Sequence, residues 1–208
     1  MSPRVSEAYK QEKRRELLQS ARRVFVRKGY TDTTMQDIMD EAGISRGALY
    51  AYFDHIDHVF TEVLQFDDQE DIFFFEPDHD SPLWKQLTHW VDVQRKSIEG
   101  INDSLVRAKA EFFLTSKYVR RHHVPFLEQR YNNLKDTIKG FIEKGAERGE
   151  FRPRLPADHI SLYFISFIDG LILNTFQLKS ETTNVDGQLS VFQYSLEQML
   201  CPVKEDHG

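Results

Sequence analysis

The residues with the most distinctive chemistry lie between Thr33 and Phe53, in the sequence TTMQDIMDEAGISRGALYAYF. A single arginine, Arg46, stands there among small and hydroxyl-bearing residues. A guanidinium can donate two hydrogen bonds to a guanine edge or to a phosphate, and hydroxyls can donate to phosphate oxygens. Small side chains would let the backbone approach a groove closely. These residue types favour a nucleic-acid contact surface made of Ser45, Arg46, Gly47, Ala48, Tyr50 and Tyr52.

Two short helices that meet at a tight turn would present these side chains. Helical spacing predicts that the first helix buries Met35, Ile38, Met39 and Ala42. Gly43 suits the turn and Ser45 the N-cap of the second helix, which would bury Leu49 and Phe53. This arrangement is typical of a helix-turn-helix, whose second helix enters the DNA major groove. An ordinary helical hairpin with a solvated outer face would show the same short pattern.

Two further features could contact phosphates. Thr33 and Thr34 precede the first short helix, where a cap and free N–H groups would form a phosphate seat. The whole chain carries a net charge of −6. Residues 1–30, however, hold nine Lys/Arg, among them Arg4 and Lys10, against three Glu. A basic end on an acidic body would orient the protein toward DNA. The alternative is a solvated helix with incidental charge.

From Lys10 to about Phe60 the chain resembles the DNA-binding domain of the tetracycline-repressor (TetR) family. The resemblance rests on the order and spacing of Thr34, Ile38, Ala42-Gly43, Ser45, Gly47, Leu49-Tyr50 and Phe53. It implies a DNA-binding transcription regulator, a repressor by default, that binds a palindromic operator as a homodimer. One departure is Ile56, which lies where the family usually carries a lysine that contacts the DNA backbone. The departure leaves open a helical interaction or small-molecule-binding protein that no longer binds DNA.

The rest of the chain predicts helices and no strands. After a first helix at about 9–28, longer helices are expected at 54–71, 83–98, 104–116, 126–148, 160–176 and 185–201. The predicted fold is all-α with about nine helices. A three-helix helix-turn-helix domain at residues 1–54 precedes a larger helical ligand-binding and dimerisation domain at residues 55–208.

The last two long helices bear on assembly. Ile160 to Phe176 is apolar almost all the way round, which predicts burial on every side. Two such helices from each of two chains would form a four-helix bundle across a two-fold axis, and FIDGLIL resembles the dimerising helix of the family. Alternatively, both helices complete the core of one chain. The predicted dimer interface comprises Phe164, Ile168, Gly170, Leu171, Leu189, Phe192, Leu196 and Met199.

The resemblance also implies a pocket for a small, mostly apolar effector in the body of the chain. Aromatic residues are the candidates for its walls, although each could equally be an ordinary core residue. The candidates are Trp90, Phe112, Phe113, Tyr131, Phe164 and Phe167.

Other classes of function lack a matching pattern. No catalytic constellation or phosphate-binding glycine loop appears, so we expect no enzyme. His55 and His58 could chelate on one helical face, but we expect no metal site and no cofactor. The N-terminus is charged rather than apolar, no apolar run approaches the ~20 residues that span a membrane, and Cys201 stands alone. These features predict a cytoplasmic protein without a membrane partner.

Overall fold

The computed structural model describes residues 6–78, 80–115 and 117–203, without the side chains of residues 69–73 and 115–125. Within these ranges the chain forms helices and no strand, which confirms the all-α prediction. The helices are α1 Glu7–Lys28, α2 Met35–Ala42, α3 Arg46–Tyr50, α4 Ile56–Phe74, α5 Leu83–Glu99, α6 Val106–Thr115, α7 Lys117–Glu147, α8 Ala157–Leu178, α9 Ser180–Thr183 and α10 Val185–Leu200, with a 3₁₀ turn at Ile101–Asp103.

The helices differ most from the predicted ones at two places, and the other bounds shift by only a few residues. The helix predicted to begin at Phe126 begins at Lys117, so α7 is longer than its apolar repeat indicates. The short α9 was not predicted; its Thr183 hydroxyl lies 3.0 Å from that of Thr175, in the buried part of α8. Because the two hydroxyls belong to different helices, the sequence pattern of either helix alone does not predict this contact.

The chain divides into two compact units. Unit 1 comprises residues 1–70 and 103–124, and unit 2 comprises residues 71–102 and 125–208. Unit 1 therefore holds most of α4 and all of α6 in addition to α1–α3. The domain boundary that the sequence suggests at residue 54 concerns function and stays a prediction.

An aromatic cluster forms the core of unit 1 between α1, α4 and α6. The rings of Phe25 and Phe60 lie 4.7 Å apart, and Phe112 of α6 lies 4.9 Å from Phe60. Tyr30, in the loop after α1, stacks edge-on against Phe112 at 5.0 Å. Because Phe25, Phe60 and Phe112 are fully buried, this cluster fixes α1, the platform for the helix-turn-helix, on α4 and α6.

Unit 2 has its own core, built from α5, α8, α10 and the second half of α7. Trp90 of α5 lies 4.7 Å from Phe164 of α8, which in turn lies 5.0 Å from Phe192 of α10. A cavity of about 10 Å³ beside Phe164, lined by apolar side chains, is the size of about one water molecule. The core of unit 2 is therefore close-packed around Phe164.

The structure corrects most of the predicted dimer interface. The side chains in question are almost completely buried within the single chain, so they fill its core and have no surface to offer a partner: Phe164, Ile168, Leu171, Leu189, Phe192 and Leu196. Gly170 and Met199 are half-buried. The large apolar side chains of α8 and α10 that remain exposed are Leu162, Tyr163, Leu173, Leu178, Val191 and Tyr194.

The candidate pocket residues fall in both units. Phe112 and Phe113 belong to unit 1, where their rings contact each other at 5.5 Å. Trp90 and Phe164 are buried in unit 2, and Phe167 packs partly buried against the same core. Tyr131, another candidate, has an exposed side chain.

By length and composition alone, α8 could cross a membrane: its mean hydropathy over the most apolar window is 1.3. The apolar core helix of a soluble protein meets the same criterion. Ile160, Ile165 and Ile168 are buried against the rest of unit 2, so packing within the chain accounts for part of the apolar composition of α8.

Candidate nucleic-acid interface

Reciprocal hydrogen bonds start α2, the first helix of the helix-turn-helix. Thr34 is its N-cap: the Thr34 hydroxyl accepts from the backbone N–H of Asp37 (3.2 Å), and the Asp37 carboxylate accepts from the backbone N–H of Thr34 (2.9 Å). This is a capping box, and Lys28 at the end of α1 adds a 2.9 Å ion pair to Asp37. Together these donors lower the pKa of Asp37 from 3.8 to about 2, with the Lys28 hydrogen bond as the largest cause.

The turn between the two helices has the predicted form. Gly43 ends α2 in the left-handed conformation (φ 63°), which a glycine adopts without strain. The backbone N–H of Ile44 then donates to Met39 (3.1 Å). Ser45 begins α3, with its hydroxyl accepting from Ala48 N–H at 3.4 Å. The predicted helix-turn-helix is therefore confirmed.

Helix α3 and the residues just after it bury their large aliphatic and phenylalanine side chains and expose the residues predicted to face DNA. Leu49, at the end of α3, and Phe53, just beyond it, are buried. Five of the residues predicted to face DNA are exposed, and the sixth, Tyr52, is half-buried. The exposed residues are Ser45, Arg46, Gly47, Ala48 and Tyr50. No neighbouring side chain crowds Gly47, so the backbone is open to a close approach.

Arg46 is held differently from the other cations of unit 1. Its guanidinium carbon lies 5.2 Å from the centre of the Tyr50 ring, one turn along α3. Among the residues that the structure describes, Arg46 forms no ion pair. A guanidinium that stacks on an aromatic ring keeps its hydrogen-bond donors available at its edge, where a base or phosphate could accept them.

The two threonines before α2 have different environments. Thr34 is exposed, but the capping box occupies its own N–H and that of Asp37. Thr33 is buried, and its hydroxyl donates to the Gly29 carbonyl at 2.5 Å. Of the two threonines, Thr34 is therefore the cap of α2, while the Thr33 hydroxyl closes the loop after α1; the predicted phosphate seat stays a prediction.

Every lysine and arginine of α1 pairs with a carboxylate. The nitrogen–oxygen distances are 2.5–3.1 Å, and several partners come from α2 and α4: Glu41 pairs with Arg23 and Arg27, Glu62 with Arg14, and Asp67 with Arg22. The predicted contact residue Lys10 pairs with Glu7. Arg4 lies outside the described residues. Since exposed ion pairs are worth about 0–1 kcal/mol, a phosphate can still compete for these cations.

Sequence reasoning missed the polar contacts that hold the loop between α1 and α2. Glu111 of α6 accepts from the backbone N–H of Thr31 (2.9 Å), and Arg107 lies 3.4 Å from Asp32. These pairs join residues far apart in the chain, so no local pattern reveals them. The capping box, in contrast, has a local signal: Thr34 stands three residues before Asp37.

The segment after α3 carries acids and histidines around Ile56, the position where the TetR resemblance implies a lysine that contacts the DNA backbone. Ile56 is half-buried at the first position of α4. Asp54 and His55 before it are exposed, and His58 follows one turn into the helix. No group of three or more metal-ligating side chains occurs among the residues described.

The geometry thus places one stacked arginine and several hydroxyls on a short exposed helix, with its apolar side anchored on a rigid platform. Two stretches match known families: residues 17–63 match "Bacterial regulatory proteins, tetR family", and residues 86–186 match "Tetracyclin repressor-like, C-terminal domain". The HTH-type transcriptional repressor KstR2 of Mycolicibacterium smegmatis is 32% identical over 70% of this chain and 71% of its own length. The chain belongs to the TetR family.

Other relatives share nearly the full length of this TetR-family chain. The HTH-type transcriptional regulator YfiR of Bacillus subtilis is 29% identical over 90% of this chain and 91% of its own length. Among solved structures, reduced NemR of E. coli covers 92% of this chain with all of its own length, at a TM-score of 0.73 and 12% identity. A TetR regulator of Haloarcula marismortui covers 91% of this chain and 99% of its own length, at a TM-score of 0.71 and 22% identity.

These comparisons establish the general function. The chain is a DNA-binding transcription regulator of the helix-turn-helix type. TetR-family regulators are soluble DNA-binding proteins that generally lack enzymatic activity and typically bind operators as dimers.

Proposed function

We propose that this TetR-family regulator is a repressor that binds a near-palindromic operator as a homodimer and leaves it when a small, mostly apolar effector binds. In the dimer, two copies of α3 related by a two-fold axis would enter successive major grooves, ~34–36 Å apart. Relatives that carry the name repressor, such as AcnR of Corynebacterium diphtheriae, at 23% identity, support the direction of regulation.

The observation that carries the proposal is the exposed face of α3. Arg46 stacks on Tyr50 and forms no ion pair among the described residues, in contrast to the paired cations of α1. We therefore assign base contact to Arg46, close backbone approach to Gly47 and Ala48, and phosphate contact to Ser45, Tyr50 and Tyr52. The exposed Thr34 adds the N-terminus of α2, and Arg4 and Lys10 add charge that acts on any DNA sequence.

Exposed apolar side chains on α8 and α10 support the homodimer. Along α8, Leu162 and Leu173 stand eleven positions apart, three helical turns, and Tyr163 adjoins Leu162. Along α10, Val191 and Tyr194 are the two most exposed of these residues, at 62% and 63%. The two helices pack on each other within the chain, so their outer sides can form one surface. Burying such a surface against a second copy would remove it from water.

An unusual donor supports an effector site in unit 2. Trp90 is 4% exposed, and its indole Nε1 has no hydrogen-bond partner among the residues described. A buried donor without an acceptor costs about 1–3 kcal/mol, so native proteins rarely leave one. An effector that presents an acceptor oxygen to Trp90, beside Phe164 and Phe167, would satisfy it.

The remaining parts of the proposal follow from the family. The protein acts in the cytoplasm, where its DNA lies, and it performs no enzymatic reaction of its own. Residues 1–54 carry the DNA contacts, and residues 55–208 carry the effector and dimer contacts.

Genomic footprinting with the purified full-length chain tests the proposal directly. Protected fragments should contain inverted repeats, and gel shifts with those fragments should weaken steeply as salt rises, because phosphate contacts release counterions. A scrambled duplex of equal composition is the control. Failure to protect or shift any fragment would refute operator binding by this chain.

A further inference from the structure

The segment between α3 and α4 contains a histidine that is placed between two carboxylates. His58 Nδ1 accepts from the backbone N–H of Asp54 (3.2 Å) and lies 3.5 Å from Oδ2 of the same residue. On its other side, Nε2 lies 3.5 Å from Oε1 of Glu62, one turn further along α4. The imidazole therefore joins the residue that follows the helix-turn-helix to the body of α4.

Glu62 extends this contact to α1. Arg14 Nε donates to Glu62 at 3.2 Å, and the Arg14 guanidinium carbon lies 5.8 Å from the ring of Phe53. Phe53 is the buried residue that anchors the end of the helix-turn-helix. The chain of contacts thus runs from Asp54 through His58, Glu62 and Arg14 back to Phe53, and it closes around the segment that leaves α3.

Further titratable groups lie near this junction. The backbone N–H of His58 donates to His55 Nδ1 (3.1 Å), and that nitrogen lies 3.6 Å from Asp57. Asp57 accepts a hydrogen bond from the Tyr30 hydroxyl. Three acids, two histidines, one arginine and one tyrosine therefore surround the junction.

Protonation would change which groups His58 holds. In the neutral ring Nδ1 accepts the Asp54 N–H, so the proton resides on Nε2 and faces Glu62. The imidazolium carries a proton on both nitrogens, so Nδ1 gives up the hydrogen bond from the Asp54 N–H and donates to the Asp54 carboxylate instead, while Nε2 donates to Glu62. These bonds are charge-assisted, and they offset two negative charges next to the proposed DNA face.

We infer that His58 is a positioning residue for DNA binding, and that its protonation tightens the complex. The imidazolium ties the end of the helix-turn-helix to α4 and α1, and it reduces the repulsion between the Asp54 carboxylate and DNA phosphates. The inference rests on the proposed contact of α3 with DNA.

The test is the dissociation constant of the full-length chain for a footprinted operator duplex at pH 6, 7 and 8, at constant ionic strength. The wild type should bind about five- to tenfold more tightly at pH 6 than at pH 8, at the lower end of typical coupling strengths. His58→Gln should remove most of this dependence. His159→Gln, in unit 2, is the matched control and should keep it.

Two further variants separate the partners. Asp54→Asn changes a side chain that is 83% exposed, so the fold should tolerate it, and its operator affinity should match the wild-type value at low pH across the whole range. His55→Gln should keep most of the dependence, because His55 faces Asp57 rather than the two bridged carboxylates.

Each outcome decides the inference. A flat wild-type profile, or a full pH dependence retained in both His58→Gln and Asp54→Asn, would overturn it while leaving operator binding intact. If no duplex is bound at any pH, operator binding and the role of His58 both fail.

Discussion

Arg46 shows how local contacts prepare a side chain for recognition. A free arginine has several rotatable bonds, and ordering it on a base costs conformational entropy. The Tyr50 ring, 5.2 Å from the guanidinium, restricts Arg46 before DNA arrives. The cations of α1 are instead held by carboxylates, which DNA phosphates must displace. We therefore expect sequence preference to come from Arg46 and general affinity from α1.

The first prediction concerns this difference. Arg46→Ala should lose about 1–3 kcal/mol of discrimination between operator and scrambled duplex, because a bidentate base contact carries sequence information. Competition gel shifts measure the ratio. Tyr52→Phe is the control: loss of a phosphate contact should weaken both duplexes equally. An Arg46→Ala protein with unchanged discrimination would exclude Arg46 from base contact.

At the scale of elements, α2 depends on its N-terminal cap. The helix spans only Met35–Ala42, and so short a helix is not stable by propensity alone. The Thr34 hydroxyl accepts from the Asp37 N–H, Asp37 accepts from the Thr34 N–H, and Lys28 ties Asp37 to α1. The pKa of Asp37 is lowered to about 2 by these contacts, so the ionised form stabilises the folded state. That contribution is complete above about pH 4 and is lost as the pH falls toward 2.

The second prediction follows from the stabilisation that ionised Asp37 contributes to the folded state. Asp37→Asn should lower the free energy of unfolding at pH 7 by about 0.5–1 kcal/mol, a modest value because the pair is partly solvated. The variant should also lose less stability than the wild type between pH 4 and pH 2. Urea unfolding at several pH values measures both effects.

A matched control exists in the same helix. Asp40 is exposed, and its carboxylate accepts a hydrogen bond from the Gln36 side chain (2.7 Å). Among the residues described, this carboxylate forms no ion pair. Asp40→Asn should therefore keep the wild-type acid dependence. Equal acid profiles for Asp37→Asn and the wild type would show that the capping box does not stabilise the fold.

At the scale of the whole molecule, we expect assembly to depend on the outer surfaces of α8 and α10. The inward sides of both helices complete the core of unit 2, through residues such as Phe164 and Phe192. The outward sides keep Leu173, Val191 and Tyr194 exposed. If these side chains form one contiguous patch, that patch would mark an interaction site.

The third prediction concerns that surface. Val191→Glu combined with Leu173→Glu should convert the dimer to a monomer, because a dimer would bury two unpaired charges in each copy. Sedimentation equilibrium measures the change, and operator affinity should fall with it. Leu155→Glu, at a residue that is 48% exposed outside both helices, is the control and should leave the dimer intact. A dimer that survives the double substitution would place the interface elsewhere.

Local patterns in the sequence were sufficient for the helices and for the helix-turn-helix. Apolar spacing, the caps at Thr34 and Ser45, and the turn at Gly43 are interactions between residues a few positions apart, so they can be recognised in the sequence. The exposed face of α3 follows from the same spacing, because Leu49 and Phe53 determine which side is buried.

Only the tertiary structure decided how these elements are used. Arg14 and Glu62 pair across 48 positions, and Thr33 closes a loop instead of facing solvent. A helix that is apolar on every side, as α8 is, does not reveal which side meets its own chain and which a partner. Phe164 is buried and Leu173 is exposed because of the neighbours that folding brings to each of them, and those neighbours lie far away in the sequence.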